Sequence, residues 1–191
     1  MISYYELATV SYDDFAIKAW EKYYACEHKG ATYYGNHQFQ NIPWDVEMHS
    51  TTESDAQRNA VDKYYCPPDS DIVEEVRKYF DIDFVDVHLQ NLKAGMLTTL
   101  HFDVNRSILL KCATESQQMK FQAEDKHRYI VFLQDQQPGQ IFQVGEEYVT
   151  WKAGDIMGFP WYMPHCTANC GAPDRYILSI IGLRDPDRVA T

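Results

Sequence analysis

The stretch LHFDVNRS (residues 100–107) sets His101 and Asp103 two positions apart in a run that otherwise reads as a β-strand, in a chain with only 7 histidines in 191 residues. Successive side chains of a strand point to opposite faces, so the imidazole and the carboxylate project to one side and Phe102 to the other. Histidine plus carboxylate is two thirds of the 2-His-1-carboxylate set that holds non-haem iron(II) while leaving coordination positions open. A second histidine must come from elsewhere in the chain. Without one, the pair is equally well read as two polar groups on the wet side of a strand.

Working outward from this stretch, period-2 patterning dominates everything after residue 83. FVDVHLQNL, MLTTLHFDV, HRYIVFLQD, QIFQVG, EYVTWK, DIMGFP and RYILSIIGL each read as strands, with LKAG, QPG and KAG as turns. In the first of these, Val85, Val87 and Leu89 alternate with Asp86, His88 and Gln90, the pattern of a half-buried strand. Short strands at this density, with no helical stretches between them, indicate an antiparallel sandwich or barrel rather than a βαβ sheet. The first 80 residues read mainly as helix. SYDDFAIKAWEKYY offers Ser11 as N-cap and an apolar stripe of Phe15, Ala19, Trp20 and Tyr23; SDAQRNAVDKYY carries a capping-box pattern; DSDIVEEVRKYF repeats the helical spacing. The segment between the first two reads as an extended loop lying over the core. The expected organisation is therefore one structural domain: a helical and loop support region at 1–82, a β core at 83–184, and a tail at 185–191.

Charge narrows the partners. With 17 Lys and Arg against 28 Asp and Glu, the formal net charge of -11 speaks against a nucleic-acid backbone or an anionic membrane surface. No leader pattern or bilayer-length apolar run is visible, and the expectation is a cytoplasmic protein with no membrane association. Five cysteines at irregular spacing form no disulfide framework. Cys166 and Cys170 flank a short segment beside His165, but a structural zinc site needs four ligands and no second knuckle is present.

Downstream of the HxD pair, AGDIMGFPWYMPHCTANCGAPDRYILSIIG supplies what LHFDVNRS lacks. His165 follows a strand and a turn, and Arg175 opens a strongly apolar strand ten positions later. An arginine turned inward from such a strand needs an anion, and a guanidinium fork suits the two oxygens of a carboxylate. The order His101-x-Asp103, His165, Arg175 resembles the Fe(II)- and 2-oxoglutarate-dependent oxygenases, and the resemblance runs through residues 84–184. LQNLKAGMLTTLHFD, RYIVFLQD with PGQIFQV, and AGDIMGF with HCTAN and Arg175 resemble successive parts of that family's core. HCTAN and the spacing to Arg175 look closest to its aspartyl/asparaginyl β-hydroxylase and free-proline hydroxylase branch; the prolyl 4-hydroxylase-like branch has similar strands.

The resemblance implies a mainly β fold with N-terminal helices around a double-stranded β-helix, or jelly-roll, cupin-like core. It implies that His101, Asp103 and His165 bind Fe(II), that Arg175 pairs with the distal carboxylate of 2-oxoglutarate, and that O2 is consumed in a hydroxylation releasing succinate and CO2. Arg128 and Tyr129 are candidates for a second co-substrate contact, against a surface cross-strand pair. Asn169 is a candidate partner of His165, or a turn cap. Trp161, Tyr162 and Arg106 are candidates to line the pocket of a small-molecule or peptide substrate, covered by residues 30–52 and 104–126, with Lys111 a further candidate beside Arg106. The remaining histidines, His28, His37, His49, His88 and His127, show no ligand spacing and read as surface or satisfied side chains. Two rival readings are a cupin-like metalloenzyme that does not use 2-oxoglutarate and a non-catalytic jelly-roll binding module.

Overall fold

The structure is a computed structural model, and it describes residues 12–27, 30–37, 39, 61–103 and 126–185. Among these, two helices, α1 (Tyr12–Ala25) and α2 (Asp71–Phe80), accompany ten strands: β1 (Thr32–Asn36), β2 (Val61–Tyr65), β3 (Phe84–Leu92), β4 (Leu97–His101), β5 (Lys126–Phe132), β6 (Gln140–Val144), β7 (Glu147–Tyr148), β8 (Asp155–Pro160), β9 (His165–Asn169) and β10 (Arg175–Leu183). They form two antiparallel sheets, a larger one in the order β1-β8-β5-β10-β3-β2 and a smaller one in the order β4-β9-β6-β7. From β3 onward the chain alternates between them: β3, β5, β8 and β10 lie in the large sheet, β4, β6 and β9 in the small one. That alternation is the double-stranded β-helix, and it confirms the fold expected from the sequence.

Alternation of side chains gives the large sheet two buried faces. Outward, Val85, Val87, Tyr129, Val131, Ile156, Leu178 and Ile180 pack under Ile72, Val73, Val76 and Phe80 of α2. The helix starts after Ser70, whose extended backbone and hydroxyl bonded to Pro67 O turn the chain, and its charge order, Asp71 and Glu74 first and Arg77 and Lys78 last, suits the helix dipole. It stops at Asp81, in the left-handed region at φ 54°. Inward, Ile130, Phe132, Phe159 and Ile177 meet Phe142, Val144, Val149, Trp151 and Met163 from the small sheet and its flanks. The helix α1 closes one side of this inner core through Tyr23 and Trp20.

Three expectations are corrected. Residues 61–65 are not the end of a helix but β2, the edge strand paired in register with β3 from Val61↔Leu92 to Tyr65↔His88; a β-branched residue followed by two tyrosines favours the strand over the capping signal upstream. Residues 32–36, read as loop, are β1, paired with β8 around a bulge at Tyr33/Gly35. The polar side of β3 does not face solvent: Asp86 and His88 are as buried as Val85 and Val87. The first part of the SDAQRNAVDKYY segment lies outside the described residues.

Tyr129 fixes how the outer layer responds to alkali. Its ring stacks on Phe80 at 4.2 Å and meets Tyr34 edge-on at 5.1 Å, and burial, with the neighbouring Tyr34 phenol, pushes its pKa up to about 12. The native phenol keeps its proton where the unfolded one, with the ordinary value of 10.0, loses it. Stability from this group is complete below pH 10 and is lost as pH rises toward 12. Chemical denaturation between these pH values should show a falling stability in the wild type and a flatter profile in Tyr129→Phe.

Candidate metal centre and its surroundings

His101 is the last residue of β4, at an irregularity in the pairing with β9 that follows Thr98 and ends on the direct pair His101↔His165. The two imidazoles are thus delivered from neighbouring strands, with ring centroids 4.3 Å apart. Asp103 lies just past the strand end rather than on it, and still returns to the same side: one carboxylate oxygen is 3.9 Å from His101 Nε2 and the other 3.5 Å from His165 Nε2. One ligand atom from each residue can be chosen with all three within 4.8 Å of one another. Metal bonds of about 2.1 Å put adjacent donors roughly 3 Å apart, so the set closes on an ion with side-chain shifts on the order of 1 Å.

The chemistry of the donors fits such an ion. His101 Nδ1 lies 2.7 Å from Thr99 O and His165 Nδ1 lies 3.1 Å from Met163 O, each a backbone carbonyl two residues upstream. A carbonyl only accepts, so both rings carry their proton at Nδ1 and turn the lone pair of Nε2 toward the cluster. His165 Nε2 is fully buried and meets no hydrogen-bond partner. Burial, then the neighbouring His101 and Arg128, hold the His165 pKa well below the ordinary imidazole value, which keeps that lone pair available. Phe159 packs against the His165 ring at 4.8 Å, and Trp20 of α1 meets Phe102 edge-on at 4.9 Å, pinning the residue between the two β4-side ligands.

Arg175 opens β10 on the inward face and is 3% exposed. Its one hydrogen bond is from a terminal nitrogen to Ile141 O, at 3.5 Å; Trp151 lies beneath it at 5.8 Å, and no carboxylate pairs with it among the described residues. Burial lowers its pKa to about 10. On β6, one residue before Ile141, Gln140 is also buried and inward, with its amide nitrogen unbonded, as is Arg175 Nε. Two buried donor groups therefore converge at one end of the interior. Gln140 was not singled out from the sequence, although it is in phase with the inward residues Phe142 and Val144. The end is held together where Cys170 N donates to Gly139 O at 2.9 Å and Gly139 adopts φ 86°, in a backbone approach to Gly171 that a side chain would block.

The other sequence candidates separate. Arg128 points inward and forms an ion pair with Asp103, so it holds the carboxylate of the candidate cluster directly. Tyr129, one residue on, faces the opposite side of β5 under α2, which removes it from the interior between the sheets. Asn169 is wholly buried but spends its amide on Leu92 O and Pro173 O and its carbonyl on Gly171 N; it ties the β9–β10 turn, and His165 uses Met163 O instead. Tyr162 packs against α1, within reach of Cys26 Sγ at 3.3 Å and Lys22 at 5.8 Å, and Trp161 packs edge-on to it. Among the described residues, His37 is bonded to Glu75, while His88 is buried with neither ring nitrogen hydrogen-bonded, unlike the expected surface or satisfied side chain. Arg106, Lys111, His28 and His49 lie outside the described residues. No metal-ligating group involves Cys166 or Cys170 among the described residues, and no described helix is long and apolar enough to cross a membrane.

No family model matches the chain, and no curated protein matches it in sequence. Among solved structures it is similar to a prolyl-4-hydroxylase from Pseudomonas putida, at 14% identity over 65% of this chain and 71% of that one, with a TM-score of 0.48. It is also similar to KdgF from Halomonas sp., at 11% identity over 78% and 96% with a TM-score of 0.43, and to a cupin-superfamily sugar phosphate isomerase from Silicibacter pomeroyi, at 9% identity over 72% and 71% with a TM-score of 0.44. The likeness is one of strand arrangement.

Removing a ligand should cost more than removing one of the outer partners that orient ligands, a loss of roughly 10–100-fold in metal affinity. His165→Ala and Asp103→Ala are each expected to weaken Fe(II) or Co(II) binding by at least about a hundredfold in anaerobic calorimetry, while His37→Ala, at a histidine bonded elsewhere, leaves it unchanged.

Proposed function

We propose that the protein is an Fe(II)- and 2-oxoglutarate-dependent oxygenase that hydroxylates a small-molecule or peptide substrate. The observation that carries the reading is the buried, inward Arg175 with no carboxylate partner among the described residues, at the opposite end of one strand pair from a His-Asp-His cluster. Burying a guanidinium without a counter-ion is costly enough that an anionic ligand is the simplest account of it. The spacing agrees. Arg175 reaches Ile141, whose partner on β9 is Ala168, and Val144 is the partner of His165. Three residues of strand separate these levels, about 10 Å. A metal bond of about 2.1 Å, a hydrogen bond of about 2.9 Å and the carbon chain of 2-oxoglutarate together span such a length.

In this reading His101 and His165 hold the ion through Nε2 and Asp103 through a carboxylate oxygen, with Arg128 fixing the carboxylate from behind. Arg175 and Gln140 bind the far carboxylate of the co-substrate and set its direction along β6 and β9. Iron with 2-oxoglutarate and O2 supplies an oxidative decarboxylation that leaves succinate, CO2 and a hydroxylated substrate. Phe159, Phe142 and Trp151 line the path between the two ends with apolar surface, which excludes water and strengthens the charge pairing at Arg175. A cupin-like metalloenzyme that acts without 2-oxoglutarate would use the same ligands but give Arg175 and Gln140 no anion to hold.

Anaerobic addition of Fe(II) and then 2-oxoglutarate to the metal-free protein should produce the visible charge-transfer band of the chelate. Hydrogen bonds to a charged group contribute about 1.5–3 kcal/mol, so Arg175→Met should raise the 2-oxoglutarate concentration for half-maximal band by roughly tenfold to a hundredfold, and Gln140→Leu by less. Iron binding with no band at any co-substrate concentration would exclude the oxygenase reading in favour of the cupin-like one. Loss of iron binding as well would remove both.

A further inference from the structure

The inward face of the large sheet carries a second polar group that the metal centre and the dicarboxylate end leave unused. Ser179 on β10 is directly opposite His88 on β3 and Ile130 on β5; Ile181 is directly opposite Asp86 on β3 and Arg128 on β5. Residues opposed in an antiparallel pair share a face. Ile130 and Ile177 belong to the inner core, so Asp86, His88 and Ser179 point into the space between the sheets. Their exposures are 8%, 6% and 1%. They sit in the row of Arg128 and the next row along; Asp86 and His88 are two strand spacings, about 9.5 Å, from the strand whose arginine grips Asp103, and Ser179 is one.

Two of the three are buried polar groups with nothing to bond. Neither ring nitrogen of His88 completes a hydrogen bond, and Ser179 Oγ has no partner. Asp86 lies 3.0 Å from His88 Nε2, close enough to attract a proton there though out of line for a hydrogen bond. In the neutral ring this favours Nε2–H and leaves Nδ1 as an acceptor. The Tyr65 ring stands against His88 with centroids 4.2 Å apart. An acceptor nitrogen, a hydroxyl, a nearby carboxylate and an aromatic face together suit a group rich in N–H donors and positive charge. They do not suit an anion, which Asp86 would repel.

We propose that Asp86, His88 and Ser179 form a subsite that receives the protonated amine of the substrate, which places the substrate among free amino acids and related primary amines. The assignment rests on the oxygenase reading for what happens next to the amine; the binding itself does not need iron or co-substrate. In the free protein the subsite costs stability, because buried polar atoms go unpaired, and in the complex they are paired.

The test uses the full chain, metal-free and again with Fe(II) under anaerobic conditions, against the common free L-amino acids, simple primary amines and the N-acetyl forms of each. Saturation-transfer NMR finds binders and calorimetry ranks them. At least one free amine should bind about tenfold or more tightly than its acetylated form. Ser179→Ala and His88→Leu should each weaken that binding by about tenfold and bring the two forms closer together. Ser179→Ala should also leave the melting temperature unchanged or raised, since it deletes an unsatisfied hydroxyl; a purely structural serine would give a lower one with binding intact. The subsite is overturned if no free amine is preferred over its acetylated form, or if Ser179→Ala binds the preferred amine as the wild type does. The charge-transfer band, followed in the same variants, keeps the two ideas apart. A wild type that discriminates amines but gives no band retains the subsite and loses the oxygenase reading; a normal band with no amine preference does the reverse.

Discussion

β10 is gripped along both edges, by β3 over its whole length and by β5 from Ile177 to Leu183, and the interior takes its chemistry from that double pairing. Because the register is fixed on both sides, the odd-numbered residues of β10 all turn inward. Arg175, Ile177, Ser179 and Ile181 therefore place inside, in order, a buried guanidinium, a hydrophobic divider, a hydroxyl and the neighbour of Arg128. A slip of one residue would turn Arg175 into the helix-covered layer with Leu178 and Ile180 and would bury a charge with no ligand able to reach it. The strand is strongly apolar at its other positions, and that is what makes the inward arginine affordable: the cost of one buried charge is spread over a strand whose remaining burial is favourable.

The small sheet contributes the complementary half of the arrangement. β9 brings His165 at one end and Asn169 at the other, and its neighbours β4 and β6 supply His101 on one side and, on the other, the Ile141 carbonyl that Arg175 meets. The site is thus one strand pair long and is closed by two different devices. At the His-Asp-His end, backbone carbonyls set the imidazole tautomers and α1 holds Phe102. At the other end, Asn169 and the Gly139–Gly171 approach tie the turns together, with side-chain amide bonds doing what a longer hairpin would do elsewhere. Polar atoms that stay unpaired, His165 Nε2, Arg175 Nε, Gln140 Nε2 and Ser179 Oγ among them, gather on the inner surface. Each left unpaired in this way costs folding stability.

Much of this was legible in the sequence, for reasons that differ by residue. The strands from 84 to 183 announced themselves because alternation and turn residues agree, and the ligand residues stood out because histidine and aspartate two apart on a strand are uncommon company for an apolar run. Arg175 was legible for the same reason. Asp86 and His88 were misread as a solvent face, since a period-2 pattern shows that two faces differ but not which of them a second sheet will cover. Tyr129 was grouped with Arg128 by adjacency, whereas alternation sends neighbours apart. Residues 61–65 were assigned to a helix on a capping signal; the vacant edge of β3, a tertiary partner far along the chain, decided otherwise. Gln140 carried no local signal beyond its phase with Phe142 and Val144.

The contact between Trp20 and Phe102 has a consequence for how the molecule comes together during synthesis. Few of the important contacts are local: β1 must find β8, α1 must find the segment after β4, and His101 must wait for His165, whose strand lies beyond four others. Topologies of this kind fold slowly, because loop closure is costly before any contact rewards it. A growing chain that has exposed only the HxD segment offers an ion two ligands and no arginine, a weak and open chelate. Only after β9 has been made can the three residues of the cluster meet, and only after β10 can Arg175 join them. The order of translation thereby keeps the three residues of the cluster apart until nine of the ten described strands have been made.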